Sequence, residues 1–225
     1  MIKYLAVIVS VVGLGMIFLP IVTGFHEAEQ LSPLAAQYVE GSINDLETQN
    51  VVTSVIVTYR GLDTLGEVTV LFLATVGVGL LLKGTQEDRL LMPFSELLET
   101  TSSVLVAMIM VLGIYIFSHG HLTPGGGFQG GVVIASGFLL LLLASSGTKI
   151  NHLVLNLVES VSGAAYVGIG AAGLVLAVGF LSPEILPLGD FGRLLSAGAI
   201  PVIYSLIGLK VGSELTSILV TMGGE

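Results

Sequence analysis

The stretch TTSSVLVAMIMVLGIYIFS (residues 100–118), the turn HGHLTPGGGFQGG (119–131) and the run VVIASGFLLLLLAS (132–145) follow one another without a single Asp, Glu, Lys or Arg. A helix that crosses a bilayer needs about 20 mainly apolar residues. About Thr100 to Ser118 and about Phe128 to Ser145 therefore read as two such helices joined by a glycine-rich hairpin. Four further segments have the same texture: Tyr4 to Val22, about Leu62 to Leu82, about Glu159 to Leu181 and about Leu194 to Val220. The fold class expected is all-α, a polytopic membrane protein of about six transmembrane helices. Composition agrees. Of 225 residues 53% are hydrophobic and 10% charged, with mean hydropathy +0.98. Soluble domains carry about 25% charge, so a soluble globule is excluded. Zero Cys removes disulfides, thiolate metal sites and Fe–S ligation within the chain, and a net charge of −9 argues against a basic nucleic-acid-binding face.

Between the spans lie polar connections. His26 to Asn50 is acidic and lacks Lys and Arg; within it, Leu31 to Val39 has the pattern of a short amphipathic helix after Ser32-Pro33. Val51 to Tyr59 reads as an interfacial entry segment. Lys83 to Glu99 is a polar linker, which divides the chain into a two-span unit (1–83), a linker (84–99) and a four-span unit (100–225). Lys149 to Asn156 and Ser182 to Arg193 are the remaining loops. Six spans place both termini on one side. With the amino terminus inside, Lys3, Lys83, Arg89 and Lys149 lie inside and Arg60 and Arg193 outside, so the positive-inside rule predicts a cytoplasmic amino terminus. Tyr4 to Val22 is longer than the apolar core of a signal peptide and has no small-residue cleavage site, so it is expected to be retained.

Ionisable groups at membrane depth are costly and mark ion or proton pathways by default. Arg60, Asp63 and Glu67 are spaced by three and four, on one helix face. Either Asp63 and Glu67 carry ions, or Arg60 and Asp63 form a helix-entry ion pair and Glu67 bonds a neighbour. Lys210 and Glu214 lie one turn apart and can pair. Lys210 is either a relay element or an interfacial lysine that snorkels to the membrane surface. Glu159 reads as an anion at a helix start, and Pro201 as a kink ahead of Lys210. In the glycine-rich turn, Gly126/Gly130 and Gly127/Gly131 have the spacing of close helix packing, and the run is either a tight hairpin alone or a place where freed backbone groups coordinate a cation or order water. His119 and His121 are too few for a zinc site without Cys, so no metal is expected, and a proton-handling or hydrogen-bonding role is preferred. The small residues from Gly163 to Gly173 read as a packing face of the fifth span.

Two motifs resemble a known family. His119-Gly-His-Leu-Thr-Pro-Gly-Gly-Gly-Phe-Gln-Gly-Gly131 resembles the signature of the B subunit of Mrp-type multisubunit Na+/H+ antiporters, over about Thr100 to Val220. Tyr59-Arg-Gly-Leu-Asp-Thr-Leu-Gly-Glu67, preceded by Asn50, looks like the carboxyl-terminal part of the A subunit of the same systems, over roughly Met1 to Lys83. Without the long antiporter body of a full A subunit, the arrangement is more similar to the sodium module of archaeal hydrogen-evolving or sulfur-reducing respiratory complexes related to complex I. The resemblance implies a non-catalytic subunit in the plasma membrane of a prokaryote, passing Na+ coupled to H+. It implies Mrp-type membrane subunits and a hydrogenase-like or sulfur-reductase redox arm as partners, with Fe–S clusters in those partners and no cofactor in this chain. It carries over Asp63, Glu67, His121, Thr123, Pro124, Gly125 and Phe128 as motif positions. Its alternatives are a subunit of a stand-alone Mrp-type antiporter and a purely structural scaffold.

Overall fold

The computed structural model describes residues 2–24, 30–82, 96–144, 150–177 and 179–223. Its helices are α1 (Ile2–Thr23), α2 (Pro33–Asn44), α3 (Val51–Ser54), α4 (Gly61–Leu82), α5 (Glu96–Ser118), α6 (Gly127–Ala144), α7 (His152–Leu176) and α8 (Ile200–Gly223). Six of these, α1 and α4 to α8, are long and apolar enough to cross a membrane. Most of the expected linker from Lys83, and the loop at Lys149, fall outside the described residues.

The chain forms two compact units, Met1–Ala36 and Gln37–Glu225. In the first, α1 continues through Pro20 and closes with Thr23 Oγ1 donating to the Leu19 carbonyl at 2.9 Å. In the second, α8 is the central helix and packs against α4, α5, α6 and α7. Its Ile200, Ile203, Tyr204, Ile207 and Val211 form the core with Val57, Val68, Tyr166 and Leu181. Missing Cβ atoms set the closest approaches. A Cβ on Gly131 would lie 2.8 Å from the Gly208 carbonyl and 2.8 Å from Val211 Cβ, and one on Gly130 would lie 2.7 Å from the Gly113 carbonyl. The α5–α6 and α6–α8 contacts are thus backbone to backbone, as small residues permit in membrane helices.

Several helix ends differ from the sequence expectation. The fifth span starts at His152 in place of Glu159, because Asn151 caps it, its side chain accepting from Leu153 N at 2.9 Å. Glu159 is therefore two turns inside α7. The last span starts at Ile200 in place of Leu194, because Ala197 (φ 65°) and Gly198 (φ 57°) hold a left-handed turn just before it. Pro201 consequently sits in the first turn of α8, where its missing N–H has no carbonyl to reach, and it makes no mid-helix kink.

Val51 to Tyr59 is α3 followed by a π-turn, Val55–Tyr59, in which Arg60 N bonds the Val55 carbonyl at 2.7 Å. Thr64 Oγ1 donates to the Ile56 carbonyl at 2.5 Å, so a side chain satisfies a group freed by the irregular turn. The Tyr166 hydroxyl on α7 donates to the Gly61 carbonyl at 3.3 Å. The break before α4 is in this way tied to the bundle, and π-turns of this kind recur at functional sites.

Candidate functional site

Lys210 and Glu214 share one face of α8, and Lys210 Nζ donates to Glu214 Oε1 at 2.6 Å. Glu214 is fully buried, and its other oxygen, Oε2, has no hydrogen-bond partner. The sequence leaves Glu159 out of this site, yet its Oε1 lies 4.0 Å from Lys210 Nζ, and its side chain is nearly as buried as that of the lysine. The Phe72 ring on α4 faces the same ammonium, with its centroid 5.2 Å away, a favourable cation–π distance. The Lys210 side chain is turned inward and is nearly buried. It is held between α4, α7 and α8. The signal that moves Glu159 off the helix end is Asn151, because a cap there places Glu159 two turns inside the helix.

Arg60, Asp63 and Glu67 form a second, separate cluster. Arg60 Nη2 and Nε reach Asp63 Oδ2 at 2.5 and 2.7 Å, and both side chains are more than half exposed. They line an open hollow of about 310 Å³ with Thr58, Tyr59, Gly61, Leu62 and Phe180. Glu67 is exposed on the same face of α4. Among the described residues no ion pair joins this cluster to Lys210 and Glu214. At its edge, burial, followed by nearby Asp45 and Tyr38, pushes the Tyr59 hydroxyl above its usual value.

The glycine-rich turn is locked to the segment before α3. Asn50 Nδ2 donates to the Gly120 carbonyl at 2.8 Å and to the Thr123 carbonyl at 3.0 Å, and Thr53 Oγ1 donates to the Gly120 carbonyl at 2.5 Å. The backbone amides of Gln49 and Asn50 both bond the His121 carbonyl at 3.1 Å. Thr123 and Pro124 lead into Gly125 (φ 153°) and Gly126 (φ 155°), a conformation that favours glycine. A Cβ on Gly126 would meet Tyr204 at 3.1 Å, and one on Gly127 would meet Ile207 at 2.7 Å. Phe128 packs against the core.

The two histidines take different partners. His119 stacks on Tyr115 with ring centroids 4.2 Å apart, and its Nδ1 is 3.0 Å from Ser118 Oγ. His121 is fully buried, its Nε2 3.3 Å from the Arg193 carbonyl and its Nδ1 without a partner. A carbonyl only accepts, so Nε2 carries a proton, and in the neutral ring Nδ1 is then bare. Burial holds the His121 ring below its ordinary value, against the opposing pull of the Arg193 carbonyl.

A family profile described as a domain related to the MnhB subunit of Na+/H+ antiporter matches residues 97–217, and one described as the E subunit of MBH matches residues 3–89. A chain in the structure of the membrane-bound sulfane sulfur reductase, an archaeal respiratory membrane complex, is 39% identical, with a TM-score of 0.84 over 99% of this chain and 98% of that one. An uncharacterized protein of Methanocaldococcus jannaschii is 26% identical over 84% of this chain and 85% of its own length. The Na+/H+ antiporter B subunit of Bacillus subtilis is 35% identical, over 36% of this chain and 52% of that protein. The fold also matches 26% of a chain of the Mrp complex from Dietzia sp. DQ12-45-1b, at TM-score 0.79 and 24% identity.

Proposed function

This chain belongs to the family of domains related to the MnhB subunit of Na+/H+ antiporters, and from that premise we propose that it is a non-catalytic, multi-pass subunit of the Na+/H+ translocating module of a redox-driven respiratory complex. The likeness over nearly its whole length to a chain of an archaeal sulfane sulfur reductase complex supports the redox-driven setting. The neighbours are other Mrp-type membrane subunits and a sulfur-reductase or hydrogenase-like arm that holds the Fe–S clusters. The amino terminus faces the cytoplasm.

The buried pair of Lys210 and Glu214 is the observation that carries the translocating role. A fully buried carboxylate on a membrane-spanning helix, one of its oxygens unpartnered, is an expensive feature for a scaffold to hold. Lys210 and Glu214 handle protons in the interior. Asp63 and Glu67, on the exposed face of α4, meet ions at the boundary with a neighbouring subunit. His119, His121 and the turn from Thr123 to Phe128 shape the path at the opposite end of α5 and α6 from the linker.

Two measurements test this. Purification of the chain from its native membrane in mild detergent should bring Fe–S subunits with it. Recovery of membrane subunits alone, without iron, would make it part of a stand-alone antiporter. Glu214→Gln in the complex should abolish Na+-coupled proton movement and leave the subunit composition intact. Unchanged transport would leave only the scaffold role.

A further inference from the structure

Lys210 stands between two carboxylates on different helices: Glu214 Oε1 on α8 at 2.6 Å and Glu159 Oε1 on α7 at 4.0 Å. All three side chains are nearly or fully buried. With both carboxylates ionised, one ammonium leaves an unbalanced buried charge, which is strongly disfavoured. One proton on the carboxylate pair brings the cluster to neutrality. The unpartnered Glu214 Oε2 offers a place for that proton.

No side chain on α7 separates the lysine stem from the helix backbone next to Glu159. Gly163, one turn beyond Glu159 on α7, faces that stem. A Cβ there would lie 3.4 Å from Lys210 Cδ and 3.5 Å from Cε and Nζ, so the end of the lysine lies against bare backbone. Phe72 presents its ring to the charge from α4. The packed helices bring few other ionisable groups: α6 has none, α4 has Asp63 and Glu67, α5 has Glu96, Glu99 and Tyr115, α7 adds His152 and Tyr166, and α8 adds Tyr204.

We propose that Lys210 alternates between Glu214 and Glu159, which makes Glu159 the second proton station of a path crossing from α8 to α7, resting on the reading of Lys210 and Glu214 as path residues. In one state the ammonium pairs with ionised Glu214, and Glu159 is protonated. Lys210 gives an N–H proton to Glu214, and the neutral amine then takes the Glu159 proton. In the other state the ammonium pairs with ionised Glu159, and Glu214 is protonated. One O–H bond breaks and one forms, the amine regains its proton, and the cluster stays neutral throughout.

The test uses the purified complex in proteoliposomes with a trapped pH-sensitive dye, and Na+ gradients imposed from either side. Glu159→Gln is expected to slow Na+-coupled proton movement by about a hundredfold, with the subunit composition unchanged. Glu159→Asp keeps a shorter carboxyl and should restore part of the rate with a displaced pH profile. Gly163→Val keeps all three charged groups and blocks the swing, so it should fail in the same way. Transport by Glu159→Gln within about twofold of wild type, at an unchanged pH profile, overturns the proposal. If that variant does not assemble, normal transport by Gly163→Val overturns it instead. Loss in Glu214→Gln with full activity in Glu159→Gln rejects the second station alone. Full activity in both rejects the path through this pair.

Discussion

The Asn50 side chain donates to the Gly120 carbonyl at 2.8 Å across 70 positions of sequence, and its second amide hydrogen reaches the Thr123 carbonyl at 3.0 Å. Its Oδ1 caps α3 by accepting from Thr53 N. One residue thus joins the segment that precedes α4 to the glycine-rich turn between α5 and α6. The two motifs that look like pieces of separate antiporter subunits are a single structural unit here, with Asn50 as the clasp.

Asn50→Asp should therefore damage the protein more than Asn50→Ala. Aspartate retains the capping acceptor but turns an anion towards two carbonyl oxygens. Alanine only removes the donors and the cap, at a cost of about 1–3 kcal/mol. Thermal melting of the purified complex should rank wild type, Ala and Asp in falling order. An Asp variant as stable as wild type would mean that the Gly120 and Thr123 carbonyls do not depend on this side chain.

Glycines of the same sequence class should differ sharply. Gly131→Ala sets a Cβ 2.8 Å from the Gly208 carbonyl and 2.9 Å from Gly212 N, so α6 and α8 must separate, costing about 1–3 kcal/mol. Gly168→Ala meets nothing within 4 Å and removes only backbone freedom, which is neutral to stabilising. Expression yield and melting temperature of the two variants check the contrast. Equal tolerance would show that the α6–α8 contact relaxes freely.

The spans were legible because apolar length and missing charge define them, and the Lys210–Glu214 spacing foretold a pair that the helix indeed forms. Helix ends were less legible, since single residues decide them. Reading Asn151 as a cap moves the start of α7 back two turns and turns Glu159 from a helix-end anion into a partner of Lys210. Hydropathy favoured Leu194 as the start of α8, but a turn with positive φ at Ala197 delays it. The Asn50 clasp was out of reach for another reason: its partners are backbone carbonyls, which carry no side-chain signature.

His121 gives the fold a defined pH response. Burial lowers its value in the folded chain below the ordinary 6.5. The neutral ring therefore contributes stability that is fully present above 6.5 and is lost as pH falls through that value towards the lower folded one. His121→Gln keeps a donor for the Arg193 carbonyl and does not titrate. The melting temperature of wild type should fall more steeply on acidification below 6.5 than that of the variant. Parallel curves would mean that His121 protonates without penalty.

Lys210→Met and Glu214→Gln separate the stability of the buried pair from its transport role. Removing the lysine alone leaves a fully buried carboxylate without its cation, a change that costs about 3–5 kcal/mol when a buried pair is broken. Removing the charge of Glu214 as well relieves most of that, because a buried ion pair replaced as a whole is often close to neutral. The double variant should thus melt near the wild-type temperature, while Lys210→Met alone melts well below it. Transport should not follow stability: both variants lack the ammonium that moves the proton, so both should be inactive in proteoliposomes. A stable double variant that still couples Na+ to proton movement would leave the pair a structural role only. A double variant as unstable as Lys210→Met would instead show that Glu159 needs the ammonium in its own right.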